Sequence, residues 1–306
     1  MSLPFIDGEE LLRLLPIPQA VEALERAFAD PDRPETPRRS HVGVPGGELL
    51  LMPASGDAGT GVKLVTVAPE NPSQGMPLIH AVYLLFDAQS LAPVAAVDGG
   101  ALTALRTCSV SALATRHLAR PDAERLVLFG AGVQATAHLD AMLAVRPVSW
   151  VRVVSRSPGP AERLIEWARH AGLDAAVAGP DVVSDADLVC TCTTSAAPVF
   201  DGSLLRPGVH VNAVGSYRPD MRELDDETIR RAAAVVVETV EAAMSEAGEL
   251  IQSSEAGVLE LRALVELDEV VRGRAPRRRA EDVTVFKSVG VAFEDLAVAG
   301  AAMARR

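Results

Sequence analysis

The 306-residue sequence predicts an α/β protein in two parts, an α+β unit over residues 1–118 and a unit of alternating strands and helices over residues 119–287. Three observations carry that prediction. Strand-like runs divided by Pro/Gly turns crowd the first part. A short apolar run, a glycine turn and an amphipathic pattern follow one another from Arg125 to Val145. Beyond that corner, β-branched runs and helical stretches alternate.

The elements are expected in this order. Phe5-Ile6-Asp7-Gly8 leads into helices over residues 9–15 and 17–28, the second with a stripe of Val21, Leu24, Ala27 and Phe28. Residues 31–37 form a proline-rich loop. Strands follow from Arg38 and over residues 48–52, 61–67, 79–86 and 91–97, then a helix over 102–118 carrying Leu102, Leu105, Cys108, Ala112 and Leu113. In the second part, strands are expected at 125–129, 148–154, 175–178, 188–191, 209–214 and 235–238, with a helix over 161–171. The remainder reads as helices over 240–251, 258–271 and 288–303, the last packing back on the first part. Arg277-Arg278-Arg279 reads as a short solvated charge run.

The corner at Arg125-Leu126-Val127-Leu128-Phe129-Gly130-Ala131-Gly132-Val133-Gln134-Ala135 is the phosphate-binding turn of a Rossmann unit. Gly130 permits the tight turn, Gly132 lets backbone approach a pyrophosphate at the helix N-terminus, and Ala135 keeps helix and strand close. The second strand ends in Ser155-Arg156-Ser157, where an NAD site would place an acid for the ribose 2′-hydroxyl. An arginine between hydroxyls suits a 2′-phosphate, so NADP(H) is favoured over NAD(H). Later strands end in Thr193-Thr194-Ser195 and in Gly215-Ser216; ligands of parallel sheets lie beyond such ends, although ordinary turn chemistry accounts for these residues equally.

Composition narrows the class. The formal charge of −12 argues against nucleic acid and anionic membrane surfaces as partners. No apolar run reaches the roughly 18 residues of a membrane span, and Met1-Ser2-Leu3-Pro4 opens no signal peptide. Three cysteines argue against a disulfide framework, and Cys190 and Cys192 read as core residues rather than metal ligands. A cytoplasmic protein is expected.

Of 29 basic residues only two are lysine, Lys63 and Lys287. Where arginine serves as the general surface cation, a remaining lysine points to a need for its compact, titratable ammonium. Lys63 interrupts an apolar strand, Gly61-Val62-Lys63-Leu64-Val65, and in a cleft its pKa would fall toward the range useful for acid–base work. Arg39 and Arg106 are candidate carboxylate clamps, or else members of structural ion pairs.

Gly130 to Ala135, Leu102-Thr103-Ala104-Leu105-Arg106-Thr107, Lys63-Leu64-Val65, Thr284-Val285-Phe286-Lys287-Ser288 and the run from Val214 through Gly215-Ser216-Tyr217-Arg218-Pro219-Asp220 to Leu224 together resemble the ornithine cyclodeaminase/mu-crystallin family. The matches run in order from about residue 39 to 295. The resemblance implies a homodimer built on an N-terminal substrate and dimerisation domain, residues 1–118, rejoined by the C-terminal helix 288–306, with a Rossmann domain over 119–287. It implies that Lys63 is the catalytic lysine and that Arg39, or Arg38 beside it, and Arg106 hold a substrate carboxylate. Motif, strand ends and resemblance give a cofactor set of Thr107, Gly130, Ala131, Gly132, Val133, Gln134, Ser155, Arg156, Ser157, Thr193, Thr194, Val214, Gly215, Ser216 and Ser288.

One departure separates branches of the family. Cyclodeaminases carry an aspartate two residues before the proline of the strand-end motif, and here Tyr217 stands there. A phenol does not replace a carboxylate base at neutral pH. The expectation is an NADPH-dependent ketimine reductase turning Δ1-pyrroline-2-carboxylate or Δ1-piperideine-2-carboxylate into proline or pipecolate. Tyr217 would line the pocket and share the proton role. The alternatives are an alanine or N-alkyl amino-acid dehydrogenase, a binding protein for NADPH and a small ligand, and, third, a cyclodeaminase.

Overall fold

The computed structural model describes residues 3–33 and 36–306. Met1 and Ser2, and Pro34 and Glu35 within the expected proline-rich loop, lie outside the described residues. In chain order the elements are β1 (Phe5–Ile6), α1 (Gly8–Leu14), α2 (Ile17–Ala29), β2 (Ser40–Val44), β3 (Gly47–Gly56), β4 (Gly59–Val67), β5 (Ile79–Phe86), β6 (Pro93–Asp98) and α3 (Gly99–Leu118). There follow β7 (Arg125–Phe129), α4 (Val133–Val145), β8 (Trp150–Val154), α5 (Pro158–His170), β9 (Asp174–Val177), β10 (Leu188–Thr191) and β11 (His210–Ala213). The chain continues through α6 (Asp226–Arg231), β12 (Ala232–Val237), α7 (Val240–Glu246), α8 (Gly248–Glu255), β13 (Leu264–Glu266), α9 (Leu267–Val271), β14 (Val283–Lys287) and α10 (Ala292–Met303).

Two compact units result: the residues up to Ser109 with Gly290–Arg306, and Val110–Val289. The first division falls inside α3, which runs unbroken through it, so composition offers no mark of it.

The first unit holds a six-stranded sheet in the order β1-β6-β5-β4-β3-β2. Neighbours are antiparallel except β1 and β6. Asp7 caps α1 through the Glu10 amide at 2.8 Å, and Asp98 accepts from the Gly100 and Ala101 amides at the start of α3. The stripe expected on α2 is buried at Val21, Leu24 and Phe28. Helix α10 packs on α2, β3 and β4, and Phe28 meets Phe293 edge to face at 4.8 Å.

The second unit holds an eight-stranded sheet in the order β13-β12-β14-β11-β10-β7-β8-β9, with every pairing parallel. From β7 the chain proceeds one way through β8 and β9, then returns to β10 on the other side. That reversal is the switch point where open α/β sheets bind ligands. Strands β10 and β11 are buried throughout, as strands covered on both faces must be. The helix pattern from Val133 is confirmed, with Ala135 wholly buried.

Four expectations need correction. Residues 258–271 are not one helix: Leu264–Glu266 pair with β12 as strand β13, and the helix is confined to α9. Leu264-Val265-Glu266 is too short a run to declare a period, and it adds to the edge of the sheet beside β12. The expected helix over 240–251 breaks at Ala247, because Gly248 lies against the Pro219 and Met221 carbonyls, where no helix side chain fits. The last helix starts at Ala292, since Gly290 takes φ +79°. Arg277 is not solvated: it is half-buried and donates to the carbonyls of Leu118 and Gly208 and to Thr284 Oγ1. Burial and neighbouring Arg120 lower its pKa, while Asp282 opposes them.

Among the described residues no helix is long and apolar enough to cross a membrane; Cys108 and Cys190 are buried and Cys192 half-buried.

Candidate functional site

In the first unit, strand alternation turns Gly61, Lys63 and the facing Tyr83 inward. Lys63 is 2% exposed, with its ammonium 2.9 and 2.8 Å from the two oxygens of Asp295 on α10. Arg106, buried on α3, places Nη1 3.1 Å from Glu294 Oε2 and Nε 3.5 Å from Asp295 Oδ1. The guanidinium lies against Gly290, where a Cβ would fall 2.7 Å from Cζ; only glycine admits it. Arg39 Nη2 donates to the Gly290 carbonyl at 3.0 Å. The structure thus brings Lys63, Arg39 and Arg106 together, and Arg38 is exposed.

The electrostatics of this cluster follow from its inventory. Burial lowers the Lys63 pKa, Asp295 raises it, and Arg106 and Arg39 lower it further, leaving about 8. Lys63, Arg106 and Arg39 thus bring three basic side chains together on one site, a setting suited to an incoming carboxylate. Tyr83 is wholly buried, its hydroxyl has no hydrogen-bond partner, and its pKa is driven upward by burial and then by Asp295. Thr107 is buried too, with its Oγ1 left unpartnered.

In the second unit, a cleft of about 600 Å³ opens at the switch point, lined by Gly130, Ala131, Ser155, Arg156, Ser157 and Thr193 among others. Gly130 takes φ +103°, and a Cβ there would stand 2.7 Å from the Cys192 carbonyl. Gly132 differs: its φ of −87° suits any residue, and nothing lies within 4 Å of a Cβ. The protein itself requires glycine only at 130; the room above Gly132 is room for something else. It caps α4 without a side-chain hydrogen bond, so the first amides of that helix face an uncapped end, as an anion requires. Val133 is 73% exposed there, and the Gln134 amide oxygen is buried without a partner. Arg156 is exposed at the tip of β8, with no acid beside it. These features fit the phosphates of a dinucleotide.

Several other residues of the expected cofactor set are drawn into internal hydrogen bonds. Glu223, fully buried, accepts from the Thr193 amide at 2.6 Å, Thr193 Oγ1 at 2.7 Å, Thr191 Oγ1 at 2.8 Å and the Gly215 amide at 2.7 Å. It ties the ends of β10 and β11 together. Burial raises its pKa; the Lys287 charge and the threonine hydroxyls act against that. Ser216 is buried between Glu249, to which its hydroxyl donates, and Lys287, which donates to the Ser216 carbonyl at 2.7 Å and hydroxyl at 2.9 Å. Thr194 is exposed, Val214 is half-buried, Ser288 is buried with its amide on the Ala213 carbonyl, and Tyr217 is half-buried after Ser216.

The sequence reading missed Asp295, Glu294, Tyr83, Glu223 and Glu249. A signal existed for the first two: adjacent acids in the apolar helix Ala292-Phe293-Glu294-Asp295-Leu296 are as anomalous as a lysine in an apolar strand. No such signal marks Glu223, which lies in a polar loop.

A model of the ornithine cyclodeaminase/mu-crystallin family matches residues 7–304. The Δ1-pyrroline-2-carboxylate reductase of Bacillus cereus is 39% identical over 257 residues, 82% of this chain and 79% of that protein. The ketimine reductase mu-crystallin of Mus musculus is 36% identical over 273 residues, 88% of this chain and 82% of its own. A solved structure, Thermococcus litoralis Δ1-pyrroline-2-carboxylate reductase in complex with NADH and L-proline, aligns with a TM-score of 0.93 at 32% identity, covering 99% of this chain and 97% of that one.

Proposed function

The chain belongs to the ornithine cyclodeaminase/mu-crystallin family, and we propose that it is a ketimine reductase, an oxidoreductase acting on CH–NH that reduces Δ1-pyrroline-2-carboxylate or Δ1-piperideine-2-carboxylate to proline or pipecolate. The observation that carries the reading is the cluster of buried Lys63 and Arg106 with half-buried Arg39, in which the Lys63 pKa is lowered to about 8. Such a cluster suits a small carboxylate whose neighbouring nitrogen needs a proton.

A bound nicotinamide dinucleotide would supply the hydride that the imine carbon receives. Arg39 and Arg106 hold the substrate carboxylate and so fix the carbon beside it. Lys63 holds the proton that the imine nitrogen takes, completing one hydride and one proton per C=N bond. Carboxylate binding offsets the two guanidinium charges that depress Lys63, so substrate itself keeps the ammonium protonated until transfer. The phenol of Tyr217, where a cyclodeaminase has an aspartate, disfavours the cyclodeaminase reaction in this reading. Arg156 with Ser155 and Ser157 favours NADP(H) over NAD(H) through the 2′-phosphate. The uniformly exposed edge strand β2, bearing Val42 and Val44, supports the homodimer.

The test is cofactor oxidation at 340 nm with each cyclic imine, using NADPH and then NADH. Turnover with an imine is expected, with NADPH preferred. Arg156→Ala should reduce the NADPH/NADH ratio of kcat/KM about tenfold, roughly 1.4 kcal/mol. Absence of imine turnover alongside tight NADPH binding overturns the reductase reading.

A further inference from the structure

Two neighbouring carboxylates at the start of α10 hold different cations. Glu294 pairs with Arg106 at 3.1 Å, and Asp295 takes the Lys63 ammonium on both oxygens. All four side chains are buried. Asp295 is 0% exposed and reaches Lys63 from a different element, so a rigid helix rather than a loop sets where the ammonium stands.

The groups facing Lys63 on every side can be named. Strand β5 presents Tyr83 directly opposite, α3 presents Arg106, the segment before β2 presents Arg39, and α10 presents Asp295. Of these only Asp295 carries negative charge toward Lys63; Glu294 is turned to Arg106. Without Asp295 the ammonium would be buried among two guanidinium groups and a phenol.

We infer that Asp295 is a positioning residue for imine reduction, fixing the Lys63 ammonium in place and keeping it a proton donor, while Glu294 serves the carboxylate-binding Arg106. This rests on the ketimine-reductase reading. The two acids therefore divide the work: one acts on proton delivery, the other on substrate affinity.

The experiment uses the full-length protein with Δ1-pyrroline-2-carboxylate and NADPH. In the wild type, the protonated form of Lys63 is the active one, so kcat/KM is full below and falls as pH rises through about 8. Asp295→Asn removes the charge at constant shape. It should move that alkaline limb down by about one pH unit or more and lower kcat at least tenfold. Glu294→Gln should instead raise KM for the imine and leave the limb where it is. Asp295→Glu keeps the charge and displaces it by one methylene, so it should keep the limb and lose kcat. Tight NADPH binding, followed by cofactor fluorescence, should persist in all three.

A second readout does not depend on turnover. The chain has only two lysines, so [13Cε]lysine-labelled protein gives two side-chain signals, assigned with Lys63→Met. The Lys63 signal should titrate near 8 in the wild type and lower in Asp295→Asn. An unmoved or raised midpoint overturns the inference. So does an Asp295→Glu protein with wild-type kcat, which keeps the inference testable if Asp295→Asn does not fold. Equal KM and kcat effects from Asp295→Asn and Glu294→Gln would mean a merely structural role and also overturn it. A wild type inert toward imines, whose Lys63 midpoint nevertheless depends on Asp295, breaks the functional reading and leaves the pairing intact.

Discussion

The two lysines occupy opposite kinds of surroundings. Lys63 in the first unit has one carboxylate partner and two guanidinium neighbours, and its pKa sits near 8. Lys287 in the second unit is fully buried with Ser216 and with Glu249 at 3.4 Å, and its charge also acts on Glu223. Excess positive charge leaves the first lysine able to part with its proton. The second, set between Ser216 and Glu249, joins the ends of β11 and β14 to α8. Burial of a titratable side chain thus says little about its role until the neighbouring charges are counted.

The comparison breaks most visibly on substitution to methionine. Lys63→Met should cut kcat about 100- to 10,000-fold, the scale of a lost proton donor, with NADPH affinity preserved. Equal turnover in that variant would end the distinction between the two sites. Lys287→Met should act on the fold instead, costing about 3–5 kcal/mol in urea denaturation because Glu249 is left buried without its cation. Lys63→Met should cost clearly less, since Asp295 retains Arg106 at 3.5 Å. A smaller effect sharpens the same contrast between protein-driven and ligand-driven sites. Gly130→Ala, forced to φ +103° against the Cys192 carbonyl, should destabilise by about 1–3 kcal/mol. Gly132→Ala should leave stability within about 1 kcal/mol and raise the KM for NADPH. A cofactor KM unchanged by Gly132→Ala would remove the ligand from that glycine.

The scarcity of lysine in the sequence pointed to Lys63, and hydrophobic period led to most strands and to the corner at Gly130. What the sequence hid was the partnering. Asp295 lies 232 positions from Lys63, and Glu223 reaches two strand ends from a loop whose composition is ordinary. Contacts at such separation depend on the order of the strands, which local pattern does not encode. The same cause hid β13, a strand chosen by a neighbour needing hydrogen bonds rather than by its own residues. Arg277 was hidden because a run of three arginines looks uniform, whereas only its first member reaches the carbonyls at the end of α3.

Both lysines being 2% exposed or less has a practical side. The exterior of this protein offers acylating reagents no lysine amine at all. Activated esters, aldehyde fixatives and amine-directed cross-linkers would find no lysine ammonium open to them while the fold is intact. Guanidinium groups supply the surface cations, and they do not react under those conditions.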